Sequence, residues 1–467
     1  MSDSITVGLL SPFQTDFDPR FESDFFNHFL NWQVFDSPMR PSSDGRSAVP
    51  CLLDGPLRQL EGRDSCWWAR VCPGVRFSDG TELTPQHLVD SLRFSPAVRE
   101  EIDVRLQDDK IVFQSRRPRG GIEWLLTHHA AVVVLERDGS YLGTGPYYNP
   151  TRNGVTNRLD TNPYSQQKPS ISTLELATYP ATGGSKQALI EAINRGDVDL
   201  TLGLGRDDVR LLRGVHHRMG QGRSTCYLYL NTQRPFLDDP AVRRALALGI
   251  DRSQLAEVSY ERPQAFAATG VLPSSIGVMP DGIRTDVEAA REALGSSIPD
   301  RPLRLIVIPV SRQYLPDPRA TADALVDQLS DLGLSMKVDF PQDVRQYMDW
   351  IAEGDYDMVM AGWIADTPDP PAYLEAILSS QAVPGGDRSA LLYSNKARYS
   401  SDEMDAALER FREDPGFKQL MEISHLIDRD RPLIPLLYGA EIAVSSWKIR
   451  TRPNAYFCRA FIAEMKL

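Results

Sequence analysis

The chain has 467 residues, enough for two or three domain-sized cores, with 42% hydrophobic, 24% charged and 9% aromatic residues, the balance of an ordinary folded protein. Its 51 basic and 63 acidic residues give a formal net charge of -12, which disfavours nucleic acid and anionic lipid as main partners, because both reward clustered Lys and Arg. No apolar run approaches the ~20 residues that span a bilayer, so no membrane span is expected.

The opening MSDSITVGLLSPF lacks the basic region, long apolar stretch and small-residue cleavage site of a secretory signal. A cytoplasmic location is expected for the sequence as it stands, and a periplasmic or extracellular one if a signal was removed. Five cysteines (Cys51, Cys66, Cys72, Cys226, Cys458) are an odd set, too sparse for a disulfide scaffold, and fit a reduced compartment.

Strand and helix signals alternate along the chain. SITVGLL starts a strand within five residues of the N-terminus. In GVRFSDGTELTPQHLVDSLRF, Asp79-Gly80 marks a turn, and Thr84 can cap a helix that has Pro85 at its first position. SKQALIEAINRGDVDL puts Leu189, Ala192 and Ile193 on one helical face, stops at Gly196 and opens a strand. YLYLNTQRPFLDDPAVRRALALGID reads as strand, turn and a helix capped by Asp239.

From 301 to 361 the pattern is βαβαβ-like. LRLIVIPV is a buried strand, and Leu325, Gln328, Leu329 and Leu332 share a helical face. LSMKVDF is a half-buried strand, Val344, Tyr347, Met348 and Ile351 mark the next helix, and YDMVMAGW is strand again. Helices near 403 to 412 and 416 to 428 and the strand PLIPLLY complete the series. The class is α/β, a sheet with helices on its faces. Without repeats or long linkers, such an architecture suits hinge closure around a ligand.

Enzyme signatures are thin. The chain has no G-x-S-x-G, no P-loop and no H-E-x-x-H. GTGPYY and GLGRDD lack the third glycine of a dinucleotide fingerprint and read as turns. The pairs His128-His129 and His216-His217 cannot present two ligands to one metal from adjacent positions. No metal or cofactor is expected. On local physics alone Trp363 is a packing residue, Asp366 a cap or turn residue, and Asp369, between prolines, a turn residue.

Several blocks, in order, resemble the family 5 extracellular solute-binding proteins of bacterial ABC importers, the oligopeptide-, dipeptide- and nickel-binding type. They are RVCPGVRFSDGTELTPQHLVDSLRF, LGTGPYY, NPYSQQKPSISTLELATYP, ALIEAINRGDVDL, YLYLNTQRPFLDDPAVRRALALGIDR, VLPSSIG, GWIADTPDPPAYL and RPLIPLLY. His87 stands where an acidic residue is usual. The last segment, IRTRPNAYFCRAFIAEMKL, looks somewhat like the end of the cytoplasmic sugar-phosphate-stress regulators, which carry a solute-binding module.

The resemblance implies a two-lobed periplasmic-binding-protein-like (type II) fold with an extra inserted N-terminal domain. Lobe I would comprise 1–38, 168–250 and 440–467, the inserted domain 39–167, and lobe II 251–439. It implies a protein that encloses a small peptide or amine-bearing metabolite between its lobes, as a monomer, with an ABC permease as partner if exported. In peptide-binding members the segment matching GWIAD lines the site. Gly362 and Ile364 would then offer backbone bonds to an added strand, Asp366 would hold an ammonium, and Trp363 and Tyr438 would line the ligand. The alternative is a cytoplasmic enzyme of specialised metabolism built on this fold, with carboxylates or a tyrosine as acid and base.

Overall fold

The computed structural model describes residues 3–10, 13–14, 18–21, 25–42, 47–151, 155–180, 186–202, 204–260, 266–279, 282–295, 297–385, 394–450 and 462–467. Cys458 and most of the C-terminal IRTRPNAYFCRAFIAEMKL segment lie outside them. The chain divides into two compact units, Met1–Gly220 with Glu441–Leu467, and Gln221–Ala440. The long strands Val215–Leu230 and Leu433–Ser446 run through the two crossing points. The α/β class expected from the sequence is the one observed.

In the first unit, Ser4–Leu9 is a central strand, parallel to Thr173–Thr178 along its whole length and to Leu200–Thr201 at Val7. Its alternation decides the layers. Ile5, Val7 and Leu9 enter a core with Phe29, Leu30 and Val34 of the helix Phe25–Val34. Gly8 faces the other way, where a Cβ would stand 2.6 Å from Leu189 and 2.9 Å from Val198. Only glycine lets the helix Gln187–Arg195 pack that closely, and its buried Leu189, Ala192 and Ile193 form the face expected from the sequence.

Residues 39 to 133 hold a separate apolar core around an antiparallel four-stranded sheet, Arg58–Gln59, Cys66–Ala69, Lys110–Ser115 and Ile102–Gln107 in spatial order. The helix Pro85–Phe94 begins as predicted, with Thr84 as cap. His87 completes a capping box. The Thr84 N–H donates to His87 Nδ1 at 3.2 Å while the His87 N–H donates to Thr84 Oγ1 at 3.3 Å. Partial burial lowers the His87 pKa from its ordinary value, which suits a neutral ring acting as acceptor in the place an acid usually fills.

In the second unit the strand order is Leu433–Ser446, Val215–Leu230, Met358–Ile364, Leu303–Val307, Met336–Asp339. Residues 221 to 250 fall in this compact unit. The buried Arg243 of the helix Pro240–Gly249 ties them there, its guanidinium donating to Leu237 O at 2.6 Å and to Asp430 O at 2.7 Å. Helices Pro318–Asp331 and Val344–Glu353 have Asp317 and Asp343 as N-caps. In the second, Tyr347 and Ile351 are buried, while Val344 and Met348 are half-buried.

Two buried charges hold this unit together or strain it. Asp357, wholly buried, accepts two bonds from Arg301, at 2.8 and 2.6 Å, and one from the Arg304 N–H at 2.8 Å. Burial alone would raise its pKa, but these bonds and the nearby arginine charges outweigh it and hold the carboxyl below its ordinary value. Lys396 is buried too. Its ammonium donates to Ser394 Oγ at 2.8 Å and lies 5.3 Å from the Tyr229 ring, with burial bringing its pKa down to about 7.

Asp357→Asn is expected to lose about 2–3 kcal/mol in urea unfolding at neutral pH, the worth of its charge-assisted bonds. Because the folded pKa is depressed, that stabilisation is present above the unfolded carboxylate value and disappears as pH falls through the folded one. The gap between native and variant should therefore close in acid. Lys396 has the opposite consequence. Its unfolded pKa is ~10.4, so a destabilisation of about 5 kcal/mol is in full force below about pH 7 and is relieved as pH rises towards 10. Lys396→Met should raise the urea midpoint at neutral pH, and the gain should shrink at alkaline pH.

Candidate ligand-binding site

The segment GWIAD ends one strand and begins a loop in the second unit. Met358–Ile364 runs antiparallel to Ser224–Leu230, with Ile364 opposite Ser224, Trp363 opposite Thr225 and Gly362 opposite Cys226. The Ala365 N–H donates to Arg223 O at 2.9 Å. In an antiparallel ladder bonded residues alternate, so Ala361, Trp363 and Ala365 face that partner while Gly362 and Ile364 turn their backbone groups away. On the far side the parallel strand Leu303–Val307 pairs only up to Met360, where the Ile308 N–H donates to Met360 O at 3.3 Å. The ladder stops two residues short of Gly362.

Beyond that point the two outward residues differ. Gly362 is buried under Tyr314, whose ring carbons lie 2.6 and 2.7 Å from where a Cβ would be, with Thr225 O at 2.5 Å. Ile364 is half-buried, and no described residue pairs with its outward backbone groups. Trp363 is half-buried and its carbonyl accepts from Tyr373 Oη at 3.3 Å.

Asp366 is exposed, one residue after the last ladder bond. Desolvation raises the pKa of its carboxyl from the ordinary value, and the charge of Arg223, a buried side chain whose guanidinium donates to Ala365 O at 2.9 Å, works against that rise. Arg223 thus fixes the backbone beside Asp366 and supplies the opposite charge. Asp369 is the N-cap residue of the helix Pro370–Leu378, in line with its reading as a turn residue, and Pro370 opens that helix.

Tyr438, on the strand Leu433–Ser446, is buried. Its N–H donates to Phe266 O at 2.8 Å and its hydroxyl accepts from the Thr269 N–H at 3.3 Å. Of the predicted residues, Trp363, Ile364 and Asp366 therefore lie at the accessible end of the strand, while Gly362 is covered by Tyr314 and Tyr438 is held within the unit by Thr269 and Phe266.

Sequence reasoning missed the layer beneath this edge. The hydroxyls of Tyr227 and Tyr373 lie 2.7 Å apart, and Tyr227 Oη donates to Val271 O at 2.6 Å. Burial pushes both phenols upward from their ordinary pKa, so they stay neutral and serve as fixed hydrogen-bonding posts under Trp363. One available signal was Arg223 itself, a charged residue directly before the apolar run STCYLYL, where a cation needs a dedicated partner.

The family model for bacterial extracellular solute-binding proteins, family 5 (middle region), matches residues 67–385. The chain belongs to this family. The peptide transport periplasmic protein SapA of Salmonella typhimurium is 24% identical over 391 residues, 77% of this chain and 68% of the relative. A probable di/tripeptide-binding protein of Pseudomonas aeruginosa is 25% identical over 325 residues, 66% of this chain and 58% of the relative. Among solved structures, a dipeptide-binding protein from Pseudoalteromonas in complex with Met-Leu aligns at a TM-score of 0.77 and 18% identity, over 99% of both chains. HbpA2 from Haemophilus parasuis aligns at 0.82 and 17% identity, also over 99% of both. This family 5 protein has the two-lobed, type II periplasmic-binding-protein fold class of those neighbours. Among its described residues no helix is long and apolar enough to cross a membrane.

Gly362→Ala is expected to cost about 1–3 kcal/mol in urea unfolding, because the new methyl group must displace the Tyr314 ring or the Thr225 backbone. Ile364→Ala, half-exposed at the same edge, should cost less; equal losses would show that the close approach at Gly362 is not what requires glycine.

Proposed function

We propose that this solute-binding protein takes a short peptide, or a metabolite bearing a primary amine, along the edge formed by Ile364 to Asp366. The observation that carries this reading is the early end of the strand ladder. Leu303–Val307 stops pairing at Met360, so the ligand backbone can continue the sheet at Ile364. Asp366 is the acceptor for the ligand ammonium, one residue past the ladder and open to solvent. Trp363 offers an aromatic wall, and Tyr438, anchored by Thr269, limits the depth available to a side chain. The peptide-binding names of the relatives support the same ligand class.

We further propose that 39–167 forms the extra domain, supported by the separate core and antiparallel sheet between Met39 and Val133. A role as receptor for an ABC permease, on the periplasmic side with SapA, follows from kinship and belongs to this proposal.

The test is incubation of the purified chain with a mixture of di- and tripeptides, followed by native mass spectrometry and by calorimetry with the peptide retained. A peptide released unchanged is the expected result, and a new product mass would instead support an enzyme. Asp366→Asn should weaken binding about tenfold or more, the loss of a charge-assisted bond of ~1.5–3 kcal/mol. An affinity that does not move would remove Asp366 from the site.

A further inference from the structure

The first unit contains a cavity of about 320 Å³ that lies wholly within it and shares nothing with the GWIAD edge. Its wall includes Asp36, Arg40, Cys51, Thr144, Arg76 and Tyr164. A narrower cavity adjoins it, sharing Asp36, Arg40 and Cys51 and continuing to Trp32 and Phe35. Solute sites typically begin near 300 Å³, so the space suits a molecule of single-residue size.

The chemistry of the wall is two-signed. Thr144, itself buried, donates to Asp36 Oδ2 at 2.8 Å, and Cys51 lines the same cavity. This neutral donor holds the carboxylate without neutralising it. Arg40 acts on Asp36 by charge, yet its side chain forms no hydrogen bond or ion pair among the described residues. A carboxylate and a guanidinium thus border one small cavity without closing on each other. Such a pair left apart is costly unless each charge meets water or a ligand.

The backbone holds the two sides in place. The Gly145 N–H donates to Val34 O at 3.0 Å, fixing Thr144 over the end of the helix Phe25–Val34. A Cβ at Gly145 would lie 2.6 Å from the Val34 carbonyl carbon, so the GTGPYY turn needs its glycine here. Opposite, the Cys51 N–H donates to Pro38 O at 3.0 Å, and Arg40 stands on the strand Met39–Pro41, paired with Val49. Asp36, Arg40, Cys51 and Thr144 therefore sit on three segments of chain tied to one another.

We propose that this cavity is a second binding site, for a free α-amino acid held as a zwitterion, with Arg40 on its carboxylate and Asp36 on its ammonium. A guanidinium fork matches a carboxylate, and a carboxylate already fixed by a buried neutral donor is preorganised to receive an ammonium. Burial raises the Asp36 pKa from its ordinary value against the opposing pull of Thr144, Cys51 and Arg40, as is expected where a charge lacks its counter-ion. The Cys51 thiol, raised well above its ordinary value by burial and by Asp36, stays protonated.

The proposal is tested by titrating the full chain, in a calorimeter, with each of the protein L-amino acids in turn. At least one should bind, and Arg40→Met and Asp36→Asn should each weaken it about tenfold or more. Arg40→Met should leave peptide binding as in the native chain. If Arg40→Met fails to fold, Arg40→Lys keeps the charge and loses the fork, and should still weaken binding measurably. Location is read by hydrogen–deuterium exchange with mass spectrometry, where the bound amino acid should slow amide exchange in the peptides carrying Asp36, Arg40 and Cys51. The proposal is overturned by absence of binding, by affinity unchanged in both charge variants, or by exchange in those peptides indifferent to the amino acid.

Discussion

The second unit depends on one asymmetry, a strand paired fully on one side and only partly on the other. Met358–Ile364 is laddered to Ser224–Leu230 along its whole length, but Leu303–Val307 accompanies it only to Met360. Unpaired backbone groups in a protein interior are costly, so an early stop is tolerated only where something else meets the exposed groups. At Gly362 the Tyr314 ring packs over the strand and keeps water and other chains from it. At Ile364 no described residue serves. The sheet interior thus becomes a sheet edge within two residues, and every residue proposed to meet the ligand, apart from Tyr438, lies on or just after that edge.

Local features were legible because local physics sets them. Thr84 with Pro85, Asp239 with Pro240, and Gly196 at φ 83° each terminate a helix by groups within a few residues, so spacing alone locates them. The α/β class followed from the alternation of such segments. The layer under GWIAD was not legible for the opposite reason. Tyr227 and Tyr373 are 146 residues apart in sequence, and Arg223 and Ala365 are 142 apart. Nothing in a linear pattern brings them together, and only the strand register does. The same limit affected Gly362, whose sequence neighbours suggest an open backbone. Its glycine is required by Tyr314, forty-eight positions earlier, which lies across it.

The first unit shows how glycine and apolar alternation divide labour. Ile5, Val7 and Leu9 commit one face of the central strand to a core, and Gly8 makes the other face thin enough for a helix to sit against it. The GTGPYY turn works by the same close approach, with Gly145 against the end of the helix Phe25–Val34. Read as a sequence, that motif was a turn and one of the blocks of the family resemblance. In the fold it also sets the position of Thr144, and through it the orientation of the Asp36 carboxylate.

Three acids within thirteen residues show why residue type alone does not assign a role. Asp357, Asp366 and Asp369 carry the same carboxyl group, the first just before one strand and the other two in the loop that follows it. Asp357 is wholly buried, and Arg301 and the Arg304 backbone saturate it, so its charge is spent on the fold. Asp369 stands at the start of a helix, where a carboxylate faces the positive end of the helix dipole. Asp366 has neither kind of constraint. It is exposed, its backbone is clamped through Ala365 by Arg223, and the guanidinium that clamps it is itself buried. A rigid main chain under an open carboxylate places a negative charge accurately and leaves it available. An ammonium arriving along the Ile364 edge meets that charge one residue beyond the last ladder bond, so backbone pairing and charge recognition favour the same ligand direction.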